Sequence, residues 1–131
     1  YIMSTEEHIK YIMTNFGRQL GNHSISERQI TLISQYTGLN NEEVICLFEK
    51  LSVAHQSICK IERDAAITAV GTLEDREIIR RNLLLDFIYN TINNGIIHFE
   101  DLNIIFKNYG YKEDALSLYQ ESIKRKINSL I

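Results

Sequence analysis

The sequence predicts an all-α fold, and three observations support that prediction. The 131-residue chain has no proline and only six glycines, so no proline ring interrupts a helix. Apolar residues recur at i, i+3, i+4 and i+7 along almost the whole chain, which is the spacing of one helix face. Capping residues and glycines separate these stretches. A chain of this length corresponds to about one domain and can bury roughly two thirds of its unfolded surface.

The first segment, residues 1–38, is predicted to hold two leading helices. The first follows a cap-like sequence at residues 4 to 7, and its apolar face contains Ile9, Ile12 and Phe16. A break is expected from residue 17 to residue 23. Ser26 caps the second helix, which ends near Gly38 because glycine commonly follows the last turn of a helix.

The second segment, residues 39–110, is predicted to hold four helices. One opens at Asn40 or Asn41, residues 52 to 60 are irregular, and a shorter helix from about residue 62 to 70 ends at Gly71 and Thr72. A long helix from about residue 73 to 89 precedes Asn93-Asn94-Gly95, the strongest turn signal in the chain. A fourth helix ends at Gly110. Beyond it, a helix from about residue 113 to 121 is expected before a basic tail.

The Asn-Asn-Gly turn has the spacing of an EF-hand loop. With Gly95 as the sixth loop residue, Asn90 is first, Asn94 fifth, Ile96 seventh and Asp101 twelfth. The sixth-position glycine makes the sharp turn of that loop, and an acidic twelfth residue closes the calcium shell. Helices are predicted on both sides, as the motif requires.

From about residue 26 to 131 the chain resembles the calcineurin B, plant calcineurin-B-like and recoverin-type sensors. Residues 42–52 resemble their first entering helix, and Cys59-Lys60-Ile61 lies where they carry the loop glycine and the aliphatic ribbon residue. Residues 115–119 resemble the entering helix of their third EF-hand, whose loop would begin at Gln120. The resemblance implies a paired EF-hand-like lobe over 39–110, with a short two-stranded ribbon between its loops, and a partial third EF-hand over 111–131. Because such sensors have four EF-hands, we expect a fragment or a protein that has lost its second lobe.

The calcium ligands of these sensors are missing. Asn90 replaces the first Asp and Asp101 replaces the bidentate Glu, which leaves one carboxylate in a loop where calcium needs several oxygen ligands. Ala65 stands in place of the closing Glu of the first loop, and residues 124–126 (Lys-Arg-Lys) would repel calcium from the third. We therefore expect no metal and no cofactor, and a vestigial loop at Asn90, Asn94, Ile96 and Asp101. A weak calcium or magnesium sensor using that loop is the alternative.

The resemblance implies a non-catalytic function. An EF-hand lobe receives an amphipathic helix of a partner protein in an apolar groove. We predict a calcium-insensitive adaptor, light chain or regulatory subunit. Ile127, the eighth residue of the third loop, has no partner loop in this chain. It would supply a ribbon strand to another chain, so an oligomer is an alternative. The residues predicted to line the groove are Val44, Leu47, Phe48, Leu51, Leu85, Ile88, Leu102, Ile105 and Phe106.

The composition excludes several other classes of protein. The chain is 44% hydrophobic with a net charge of −3, which excludes collagen-like, low-complexity and disulfide-scaffold proteins. Cys46 and Cys59 are too few for a metal knuckle or a disulfide framework, so free thiols in a reducing compartment are expected. No apolar run reaches the roughly 20 residues of a membrane span. We predict a cytoplasmic or cytoskeleton-associated protein without a direct membrane anchor.

Two rival functions have weaker support. Residues 33–44 fit a helix-turn-helix frame, but Glu42 and Glu43 would face the DNA phosphates and the acidic chain offers no basic face, so no nucleic acid is predicted as partner. His55 and Cys59 are four residues apart, and an imidazole can activate a thiol. No orienting carboxylate or oxyanion donor follows at a predictable spacing, so no catalytic residue is predicted.

Overall fold

The computed structural model describes residues 2–68 and 73–130, and these residues form seven α-helices and no strand. The all-α prediction is confirmed. The predicted ribbon is wrong. Ile61, its aliphatic residue in the first loop, has its backbone inside a helix, and Ile97, the eighth residue of the loop counted from Asn90, lies in a connection without strand pairing. The helices are α1 (Thr5–Asn15), α2 (Gly17–Asn22), α3 (Glu27–Thr37), α4 (Asn41–Thr68), α5 (Leu73–Asn93), α6 (Phe99–Asn108) and α7 (Ala115–Ser129).

Side-chain caps fix the starts of three helices where the sequence predicts them. Ser4 and Ser26 each accept a hydrogen bond from a backbone N–H three residues later, at 3.2 Å, and each begins a capping box. Asn40 accepts from the N–H of Glu43 at 2.8 Å and starts α4. Such caps satisfy backbone donors that have no partner inside the helix.

The irregular segment and the EF-hand loop predicted between residues 52 and 65 are wrong, because this part of the chain lies within helix α4. It runs unbroken for 28 residues, because this stretch contains neither glycine nor proline and its buried residues keep the helical period. The predicted helix over 62–70 is the end of α4 as far as Thr68, while the break predicted at Gly71 and Thr72 lies outside the described residues. The buried residues that continue the stripe are Leu51, Ala54, Ile58, Ile61 and Ala65.

Two further expectations are wrong. The break predicted from residue 17 to 23 contains the short helix α2, which is capped by His23 with a left-handed φ of 53°. The third EF-hand loop predicted from Gln120 is helical as far as Ser129, within α7. Three consecutive cations, residues 124–126, are exposed near the end of α7, where positive charge interacts favourably with the helix dipole.

One hydrophobic cluster holds the described helices together, and it draws side chains from all three predicted segments. Helix α4 packs against α2, α3 and α5, while α1 reaches α6 and α5 packs on α7. Burying each large aliphatic or aromatic side chain contributes about 1.5–3 kcal/mol. The largest fully buried residues include Ile9, Ile12, Leu20, Ile33, Phe48, Ile58, Leu84, Ile88, Leu102 and Phe106.

The helix pairs α3–α4 and α6–α7 share one internal pattern. Each first helix starts at a side-chain cap, Ser26 or His98, and each is followed by a glycine with φ near +80°, Gly38 at 81° and Gly110 at 78°. Only glycine adopts that backbone conformation without strain. A helix–glycine–helix unit thus occurs twice, on either side of α5.

Candidate functional site

The nine residues predicted to line a partner groove form the core of this chain. Eight of them are no more than 2% exposed, and Leu47 is half-buried and packed against the same cluster. They lie on α4, α5 and α6, which close over them. The predicted groove is therefore filled by the chain's own side chains. The eight buried residues are Val44, Phe48, Leu51, Leu85, Ile88, Leu102, Ile105 and Phe106.

The vestigial loop is a helix cap followed by a short connection. Asn90 lies inside α5, Asn94 and Ile96 are exposed in the turn, and Asp101 is in the first turn of α6. Gly95 has a φ of 67°, and the N–H of Ile96 donates to the Thr91 carbonyl at 3.0 Å. This is a Schellman cap, which satisfies carbonyls at the end of α5. Across residues 2–68 and 73–130, no three His, Cys, Asp or Glu side chains come together to hold a metal ion.

An open groove instead lies between α1 and α3, and we call it the α1–α3 groove. Its first part is a cleft of about 630 Å³ between the start of α1 and the end of α3. Ile2 and Met3 line it on one side, Tyr36 and Leu39 on the other. Ile2 is 94% exposed and Tyr36 is 59% exposed. The cleft thus presents apolar surface to the outside of the protein.

The second part of the groove follows α1. It is a cleft of about 330 Å³ lined by residues from Met3 to Asn15 together with Tyr36. Met3, Glu7 and Tyr36 line both clefts, so the two clefts adjoin. It accompanies the 11 residues of α1, a length of about 16 Å at 1.5 Å per residue.

A pair of stacked tyrosines forms the centre of the groove wall. The rings of Tyr11 and Tyr36 have centroids 4.0 Å apart and planes 12° apart. Tyr11 also meets Phe16 edge to face at 6.0 Å, which links the pair to the core. One turn before Tyr36 on α3, Leu32 is 48% exposed and extends the apolar surface.

One polar atom in the groove wall has no partner. His8 lines the larger cleft, and its Nε2 atom is buried without a hydrogen bond to any described residue. Buried polar atoms in folded proteins nearly always have partners. A ligand in the cleft with a polar group near His8 would supply the missing hydrogen bond after a small side-chain adjustment.

Sequence reasoning missed this groove, although one signal was present. Leu32 and Tyr36 are apolar, but they lie outside the buried stripe of α3, which contains Ile33 and Thr37. Two apolar residues one turn apart on the outer face of a helix indicate a second contact surface.

The structure also brings together the two residues of the rival thiol site. The Sγ atom of Cys59 lies 3.7 Å from Nε2 of His55, both on α4. The other ring nitrogen of His55 contacts the Tyr109 hydroxyl, a partner that comes from the end of α6 and that spacing alone does not predict.

Comparison with protein-family models, curated proteins and solved structures finds no match to this chain. No helix within the described ranges is both long enough and apolar enough to cross a bilayer.

Proposed function

We propose that this chain is a non-catalytic adaptor or regulatory subunit that binds an amphipathic helix of a partner protein in the α1–α3 groove. The observation that carries the proposal is the groove along α1, whose walls present Met3, Leu39 and the stacked Tyr11–Tyr36 pair beside polar side chains. Amphipathic helices bind such grooves through apolar anchors spaced one turn apart. The groove replaces the predicted site on α4, α5 and α6.

The shape and chemistry of the groove favour a helix as the occupant. A length of about 16 Å accommodates roughly three helical turns, enough for anchors at i, i+4 and i+7. Glu7 and Lys10 line the groove alongside its apolar residues, which suits a helix with one polar and one apolar face. The stacked tyrosines are already held in place, so binding orders few side chains and loses little entropy.

The proposed binding does not depend on calcium. Counted from Asn90, loop positions one to four lie in α5, and position ten, Phe99, begins α6. The segment proposed as the first loop lies within α4, and the segment proposed as the third loop is helical as far as Ser129. The two free and exposed thiols, Cys46 and Cys59, support the proposal that the protein works in a reducing compartment such as the cytoplasm.

The proposal is tested with a displayed library of short amphipathic helices, selected against the wild-type chain. The affinities of the enriched peptides are then measured for Tyr36→Asp and for Ile78→Asp. These two positions are similarly exposed, at 59% and 55%, but only Tyr36 lines the groove. We expect Tyr36→Asp to weaken binding at least about tenfold, or about 1.4 kcal/mol, because it places a charge against apolar side chains. Ile78→Asp should bind as the wild type does.

Each peptide is also measured in calcium and in chelator, and equal affinities are expected. Failure to enrich any peptide would overturn the proposal, as would peptides that bind Tyr36→Asp and the wild type equally well. A loss of about tenfold or more on chelation would instead favour the alternative of a sensor that uses the segment from Asn90 to Asp101.

A further inference from the structure

We propose that Cys59 is a nucleophilic thiol, activated by His55 and positioned through Tyr109, that forms a mixed disulfide with a small zwitterionic disulfide. This activity goes beyond the proposed helix binding and uses different residues. The site lies where α4, α5 and the connection between α6 and α7 meet, and Cys59 lines both of its clefts.

The three side chains form a chain of contacts. His55 and Cys59 are one turn apart on α4, so their side chains lie on the same face, and Nε2 of His55 is 3.7 Å from the Cys59 sulfur. Nδ1 of His55 contacts the hydroxyl of Tyr109. A nucleophile, a base and a group that orients the base are the parts of an activated thiol site.

The protonation states of the neighbours suit this role. Burial lowers the pKa of His55 below its ordinary value of 6.5, so the ring is neutral near pH 7. Burial raises the pKa of Tyr109, and the nearby Cys59 raises it further, so the phenol keeps its proton. With the imidazole proton on Nδ1 and donated to the Tyr109 oxygen, Nε2 is free to accept the proton of Cys59.

The clefts on either side of Cys59 carry opposite charges. The larger, about 530 Å³, is lined by two carboxylates, Glu62 and Glu77, against one cation, Arg80, so negative charge is in excess there. The Glu77 side chain is 65% exposed. The smaller, about 250 Å³, contains Lys60 and Arg63. A ligand with an ammonium group and a carboxylate, such as the disulfide of an amino-acid-like thiol, matches both sides when its sulfur is near Cys59.

Arg80 lines the larger cleft but is held by this chain. Its Nη2 atom donates to Glu113 at 3.2 Å and to Glu77 at 3.4 Å, and its guanidinium carbon lies 4.8 Å from the centre of the Tyr111 ring. Lys60 and Arg63 are therefore the cations that we assign to the carboxylate of the ligand.

The reaction is a thiol–disulfide exchange. His55 takes the proton of Cys59, and the thiolate attacks one sulfur of the small disulfide. A new S–S bond forms at Cys59 while the S–S bond of the ligand breaks, and the leaving thiolate takes the proton from His55. Cys59 is oxidised and one half of the ligand is reduced, so that no further reactant is needed.

Cys46 provides an internal reference, because it is also exposed on α4. The wild-type protein is treated with L-cystine, whose two halves each carry one ammonium and one carboxylate, and separately with neutral 2-hydroxyethyl disulfide. Mass spectrometry measures the rate of adduct formation at each cysteine. With cystine we expect Cys59 to react at least about tenfold faster than Cys46. Equal rates at the two cysteines of the wild-type protein would overturn the proposal without any variant.

Variants distinguish the role of His55 as the base from the role of the residues that bind the ligand. His55→Gln should bring the Cys59 rate down to about that of Cys46, and Tyr109→Phe should lower it by a smaller factor. Glu77→Gln should slow the reaction of Cys59 with cystine and leave its reaction with the neutral disulfide unchanged. If a folded His55→Gln protein still reacts faster at Cys59 than at Cys46, the role of His55 is overturned. A preference of the same size for the neutral disulfide would overturn the zwitterionic ligand.

Discussion

Tyr11 on α1 stacks on Tyr36 of α3 with ring centroids 4.0 Å apart and an interplanar angle of 12°. The two helices otherwise leave a groove between them, and Tyr36 lines both of its clefts. An exposed aromatic ring that is already fixed by a neighbour provides contact area at small entropic cost. This pair is the reason that we propose partner binding here.

Truncation of Ile88 tests whether the predicted groove residues form the core. Ile88 is fully buried on α5, so Ile88→Ala should lower the free energy of unfolding by about 2–5 kcal/mol through lost burial and a new cavity. Urea denaturation measures the change. The exposed Ile78 provides the matched control, since Ile78→Ala should cost no more than about 0.5 kcal/mol. Similar small losses at both positions would contradict the packing described.

A glycine substitution tests the continuity of α4. Lys60 is exposed in the middle of this helix, within the segment predicted to be irregular. Lys60→Gly should be less stable than Lys60→Ala by about 1 kcal/mol, because glycine loses more backbone entropy in a helix. Thermal denaturation of the two variants measures the difference. Equal stabilities would indicate that residue 60 is not helical.

Gly95 and Gly17 should respond oppositely to alanine. Gly95 has a φ of 67°, so Gly95→Ala places a Cβ in the left-handed region, and it should destabilise the chain by about 1 kcal/mol. Gly17 begins α2, and a Cβ there meets no atom within 4 Å. Gly17→Ala should be neutral or stabilising, since alanine restricts the unfolded chain. Chemical denaturation of both variants checks the contrast, and a stabilised Gly95→Ala would contradict the cap.

Stability should depend on the charge of His55. Its pKa is lowered from 6.5 by burial, so the unfolded chain binds the proton more tightly than the folded chain does. The free energy of unfolding should therefore decrease as the pH falls from about 7.5 to about 5.5. The decrease should be shallower in His55→Gln, which has no titrating ring there. Parallel pH profiles for the two proteins would show that His55 has the same pKa in both states.

Local signals in the sequence predicted much of the fold. Ser4, Ser26 and Asn40 are capping residues, and Gly38 and Gly110 follow helices, so the starts and ends near them are predictable from short-range chemistry. The stripe of Val44, Phe48 and Leu51 is buried as its spacing indicates. The extension of α4 was missed because the continuing stripe includes Ala54 and Ser52, whose small side chains give a weak apolar signal.

The EF-hand prediction depended mainly on Gly95 and on the loop positions counted from it. A left-handed glycine before a capped helix occurs both in a calcium loop and in a Schellman cap, so spacing alone does not distinguish them. The groove between α1 and α3 depends on how two distant helices pack. A helical stripe shows which residues avoid water, but it does not show whether they meet the same chain or a partner.

The most direct test of the account is amide chemical-shift mapping of the chain with a library-selected amphipathic helix, in calcium and in chelator. If the helix binds in the α1–α3 groove, perturbed amides should cluster on α1 and α3, around Met3, Tyr11 and Tyr36, and both conditions should give the same map. Perturbations centred instead on the buried residues of α4, α5 and α6 would contradict it, because they would mean that the core opens to receive the helix.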